Sequence, residues 1–207
     1  MQDAVARLTP LGVVVLELLR EDDMHPYEMI RLMRQRRDDR LVSLTNGTMY
    51  HTVARLLRAG LIAEVGTDRD GNRPERTTYT LTPAGRDAAL AWVRHELVRL
   101  DRPAQYRVAL AEAHGLDRAE VEALLRRRCA ALAEAEERLR DGRATAREHG
   151  IPDQYLIEHE RTHVLLEAER RWTEALVERL VSGALPWGDG VHPPTDRYRA
   201  QREAARR

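Results

Sequence analysis

The hydrophobic period of the chain changes from helical to alternating and back within its first hundred residues, and this restricts the fold more than any other feature. Thr9 and Pro10 form an N-cap followed by proline in the first turn, after which Leu11, Val14, Val15, Leu18 and Leu19 recur at helical spacing. Past the acidic break REDDMH, Pro26 opens a second helix whose apolar side is Tyr27, Met29, Ile30, Leu32 and Met33. A third starts near Thr45, with Met49, Val53, Leu56 and Leu57 on one face and Gly60 as a left-handed cap. The segments LIAEVGT and RTTYTLT then alternate in polarity around the turn-rich DRDGNRP, which predicts a two-stranded hairpin. Thr82-Pro83 repeats the capping device, and a long helix is expected from about Ala84, with Leu90, Val93, Leu97 and Leu100 on one side.

Helix, helix, short helix, hairpin, helix is the order of a winged helix-turn-helix domain, expected over residues 1–95. The remainder reads as helical. Asp117 and Glu120 have the spacing of a capping pair, Leu125, Leu132 and Leu139 recur every seven residues, and Gly150-Ile151-Pro152 stops that helix. Asp153 is expected to cap one more, running to about Ser182. Its apolar residues, among them Leu156, Val164, Leu165, Leu166, Trp172, Leu176, Val177 and Leu180, spread over more than one face and so need more than one neighbour. A second copy of the chain would supply it. The expected fold is therefore mostly α: the winged domain, a helical, coiled-coil-like dimerisation and effector domain over 96–182, and a flexible tail over 183–207, where Gly and Pro give way to charge.

Composition bounds the function. The 34 basic residues, all arginine, equal the 34 acidic ones, so the total charge argues for no partner and a nucleic-acid partner must rest on local clusters. No apolar run reaches the roughly 20 residues of a membrane span, and no secretory signal is evident, which leads to the expectation of a cytoplasmic protein without a membrane partner. The single Cys129 cannot form an internal disulfide and is assigned no chemistry. The local cluster sits on the third helix. Thr48, His51, Arg55 and Arg58 fall opposite its apolar stripe, with Thr45 and Asn46 at its start, Tyr50 on its flank, and no carboxylate among them. These residue types suit guanine edges and phosphates, and Arg69, Arg73 and Arg76 around the hairpin tip suit the DNA backbone or minor groove.

These segments also carry a resemblance. LTPLGVVVLELLRE, HPYEMIRLMRQR, TNGTMYHTVARLLRAGLI and TTYTLTPAGR resemble the DNA-binding domain of the PadR-like transcriptional regulators over about residues 8–95. Gly47, Thr48, Met49 and Tyr50 match the run that opens the family's recognition helix, and Tyr79, Leu81, Thr82 and Gly85 match the run that ends its wing. Arg76 fills the place of a basic residue that commonly precedes that run. The resemblance implies a homodimer on double-stranded operator DNA, usually a repressor and often controlled by a small molecule. An adaptor that keeps the fold without reading an operator is the alternative among binding proteins.

One motif points to a different class. His159, Glu160 and His163 spell H-E-R-T-H, which matches the H-E-x-x-H pattern of zinc hydrolases, where two histidines bind metal and the glutamate is a general base. A third ligand, a substrate-aligning strand and an enclosing cleft are missing from the pattern, so interface or surface histidines are the expected reading, with no cofactor and no catalytic residue. Trp92 and Trp172 could meet near the junction of the two domains and flank a small hydrophobic or aromatic effector, although core packing is their ordinary role.

Overall fold

Four N-terminal caps set where the helices around the hairpin begin. In the computed structural model, which describes residues 8–68, 76–188 and 196–206, Thr9 Oγ1 accepts from Gly12 N at 3.2 Å and starts α1 (Pro10–Glu21). His25 Nδ1 accepts from Tyr27 N at 3.1 Å and starts α2 (Pro26–Arg36). A 3₁₀ turn (Asp38–Arg40) leads to α3 (Asn46–Arg58), whose cap is reciprocal: Thr48 N donates to Thr45 Oγ1 at 3.1 Å and Thr45 N to Thr48 Oγ1 at 2.9 Å. Thr82 Oγ1 accepts from Gly85 N at 3.1 Å to start α4 (Pro83–Val98) and donates to Gly60 O at 2.8 Å.

The hairpin is as expected. Strand β1 (Ile62–Asp68) pairs antiparallel with β2 (Arg76–Leu81) in the register Ile62 to Leu81 and Asp68 to Arg76, with a bulge between Glu64 and Gly66. Met24, inside the acidic break, exchanges both backbone hydrogen bonds with Tyr79 at 3.1 Å, so the break between α1 and α2 adds a one-residue third rung to the wing. Gly85 lets α4 leave the hairpin at a sharp approach: a Cβ there would lie 2.0 Å from Leu61 O.

Helix α1 is the hub of the core. Val13, Val15 and Leu16 are fully buried in addition to the predicted stripe, because α1 is enclosed by α3, α4, α5 and the wing. The helix expected after the wing is α4. Pro103 disfavours helical geometry at Arg102, so α4 ends at Val98 and a separate α5 (Pro103–Ala111) packs against it. After a 3₁₀ turn (Ala113–Gly115), α6 (Arg118–Glu148) and α7 (Ile157–Val181) form an antiparallel pair. The division expected at 95/96 falls inside α4, and buried side chains continue from it into α5, α6 and the far end of α7 at Val177 and Leu180.

Two expected caps differ. Asp117 makes no side-chain cap, and Glu120 is held instead by Arg94 of α4 at 2.5 and 3.1 Å. Asp153 lies in a 3₁₀ turn paired with Arg147 at 2.9 Å, and α7 starts after Leu156. Parts of the expected tail lie among the described residues. Trp187 Nε1 donates to Leu116 O at 2.9 Å, and α8 (Asp196–Arg206) packs on α2 with Ala205 buried and Arg202 bonded to Asp22 at 2.7 Å. Alanine and arginine spacing supplies that helix with an apolar side that composition alone obscures.

Candidate nucleic-acid interface

The exposed stripe of α3 consists of Asn46, Gly47, Tyr50, His51, Ala54 and Arg58. At about 100° per residue these fall within one arc of roughly 140°. The opposite side, Met49, Thr52, Val53 and Leu56, is buried against α1 and α2. Relative to the predicted face, the open surface is thus rotated toward Asn46, Tyr50 and Ala54. Thr48 and Arg55 stand at its edge, and each has a structural partner. Thr48 serves the reciprocal cap with Thr45, although both remain exposed. Arg55 is half-buried and its Nη2 donates to Thr9 Oγ1 at 2.7 Å, which pins the middle of α3 to the start of α1.

Charge on this surface has one sign. Helix α3 carries no acidic residue, Arg58 leans back to donate to Ala54 O at 3.3 Å, and His51 is exposed beside it. On the wing Glu64 lies across from Tyr79, and burial together with that carboxylate pushes the Tyr79 phenol above its ordinary pKa. Arg76 opens β2 opposite Asp68, while Arg69 and Arg73 lie outside the described residues. An exposed helix of this width has the dimensions to enter a groove about 12 Å across, and strand β1 of the wing packs beside it.

The other predicted positions are separated from this surface. Trp92 is 2% exposed within the core, whereas Trp172 is 48% exposed on α7 and is not among the side chains packed on that core. The two are not brought together around a cavity. An open groove of about 450 Å³ between α6 and α7, lined by Leu139, Gly142, Leu156, His159, Thr162 and Leu166 among others, includes neither. In H-E-R-T-H, His159 is half-exposed, Glu160 faces Arg143 at 3.7 Å, and the Nδ1 of His163 is buried without a hydrogen bond. Among the described residues no third His, Cys, Asp or Glu joins them at ligand distance. Burial pushes the Cys129 thiol up, away from thiolate chemistry. No helix of the described residues is long and apolar enough to cross a membrane.

Sequence reasoning missed the tether from Arg55 to Thr9. Its only local signal was the Thr9 hydroxyl, already assigned to a helix cap.

The model of the transcriptional regulator PadR-like family matches residues 15–91. Among solved structures, the chain is similar to Bacillus subtilis PadR in complex with operator DNA, at 17% identity over 82% of this chain and 98% of that one, with a TM-score of 0.37. It is also similar to smu.1604c from Streptococcus mutans, at 17% identity over 81% and 98% with a TM-score of 0.38. A further one is the PadR-like regulator BC1756 from Bacillus cereus, at 15% identity over 84% and 99% with a TM-score of 0.37. No curated protein matches significantly. From within α1 to within α4, residues 15–91, the chain carries a domain of the PadR-like transcriptional regulator family.

Proposed function

We propose that the protein is a dimeric, operator-binding transcriptional regulator, a repressor that acts in the cytoplasm by occupying a promoter. The observation that carries this reading is the carboxylate-free stripe of α3, exposed next to the wing of a domain of a regulator family. Asn46, Tyr50, His51 and Arg58 supply amide, hydroxyl, imidazole and guanidinium groups for base edges and phosphates, and Arg55 reaches the groove's edge from its tether. With the formal net charge at zero, long-range attraction is weak, so affinity rests on this local surface.

The dimer in this reading is formed by α7. Ile157, Val164, Leu165 and Trp172 are between 48% and 65% exposed, and at helical spacing they share one face opposite Val177 and Leu180. A second α7 covers them and sets two copies of α3 one helical turn apart on DNA, at half-site centres of about 34 to 36 Å. Residues 96–182 are accordingly the dimerisation region. The α6–α7 groove is within the size range for a small aromatic effector, whose binding would alter the spacing of the two recognition helices.

Footprinting on DNA upstream of the protein's own gene tests the reading. The expected result is protection of a pseudo-palindrome with that spacing. A folded dimer that protects no sequence there and binds DNA without preference would support the adaptor instead.

A further inference from the structure

Glu17 interrupts the otherwise apolar middle of α1 and is 7% exposed, an expensive position for a carboxylate. It faces Glu112, the C-cap residue of α5, and His114 in the 3₁₀ turn that follows. One ligand atom from each of the three lies within 4.8 Å of the other two. We propose that Glu17, Glu112 and His114 form a metal site that takes one divalent transition-metal ion of the Zn²⁺ type, joining α1 to the turn after α5.

Three observations support it. Glu17 Oε2 is closed off from solvent and accepts no hydrogen bond; Arg20 Nε lies 3.0 Å away as an ion-pair partner but out of hydrogen-bond alignment. The donor set of two carboxylates and one imidazole is one that Zn²⁺ accepts, with water as the fourth ligand. Bonds of about 2 Å in a tetrahedron place ligand atoms roughly 3.3 Å apart, a closure that side-chain rotation can supply. The ring of His114 is also oriented: its Nδ1 meets Ala111 O at 3.1 Å, and a ring that donates there carries its lone pair on Nε2.

The test is equilibrium dialysis of the full-length, chelator-treated protein against Zn²⁺. About one Zn²⁺ per chain at micromolar affinity or tighter is expected. Glu112→Gln and His114→Ala should each weaken it at least about tenfold while circular dichroism stays unchanged, and Glu17→Gln should do the same if it folds. The double variant His159→Ala with His163→Ala should bind as the wild type does. No stoichiometric Zn²⁺, binding indifferent to Glu112→Gln and His114→Ala, or binding lost in the His159 and His163 variant would each overturn the site.

Discussion

Arg55 Nη2 donates to Thr9 Oγ1 at 2.7 Å across 46 residues of sequence, so one guanidinium ties the exposed helix of the winged domain to the N-cap of its central helix. Thr9→Ala therefore removes two contacts. It should cost about 1 kcal/mol through the cap and a further fraction through the tether. Arg55→Ala should weaken operator binding by about 1 to 3 kcal/mol, with the loss concentrated at one base position per half-site. In a double-mutant cycle on stability the two changes should be non-additive by at least about 0.5 kcal/mol. Strict additivity by denaturant unfolding would show that the tether contributes nothing. Unchanged operator affinity in folded Arg55→Ala would remove the residue from the interface.

The exit from the wing is the tightest backbone approach near the interface. Gly85→Ala places a Cβ against Leu61 O, which is main chain and cannot rotate away. It should destabilise the domain by about 3 kcal/mol or more. Gly60→Ala, at φ +68 with open space around it, should cost only about 1 to 2 kcal/mol. Urea unfolding of the two variants distinguishes steric from conformational cost, and equal values would contradict the geometry.

These positions also show how far the sequence could be read. Thr9, Thr45, Thr82 and the proline that follows two of them announce helix starts through contacts within three residues, so α1, α3, α4 and the hairpin were legible. Helix α5 is only nine residues long and has no clear amphipathic period, so nothing in the sequence marked it as a separate helix. Met24 joins the wing through backbone bonds that leave no mark in composition. The face of α3 was located within about a quarter turn; the rotation toward Tyr50 and Ala54 arises because Thr52 is buried and Arg55 is drawn to Thr9, both tertiary effects.

At the junction of α4, α5, α6 and α7, Arg128 is 1% exposed and its guanidinium lies 3.5 Å above the centre of the Tyr106 ring. It bonds Glu169 through Nε and Nη2 and donates to the Arg99 carbonyl through Nη1. Removing the carboxylate strands a buried charge, so Glu169→Ala should cost about 3 to 5 kcal/mol. Arg128→Met, which keeps volume and frees a partly exposed Glu169, should cost less. The reverse order in thermal unfolding would contradict this ranking.

The outward face of α7 makes a prediction about assembly. Leu165→Arg with Trp172→Arg should give folded monomers by sedimentation at micromolar concentration, because both side chains are about half exposed in the single chain. Operator affinity should fall at least about a hundredfold as each half-site is then bound separately. A double variant that stays dimeric would move the interface elsewhere.

Ala54 lies in the middle of the exposed stripe of α3, and its side chain supports nothing in the core. Ala54→Glu places one carboxylate where the phosphates and base edges of a bound duplex would be, with little cost to the fold. Fluorescence anisotropy with the footprinted operator, at fixed salt, reads the consequence. A loss of at least about a hundredfold in affinity is expected, with thermal stability and dimerisation unchanged. Wild-type affinity in folded, dimeric Ala54→Glu would show that α3 does not face the DNA.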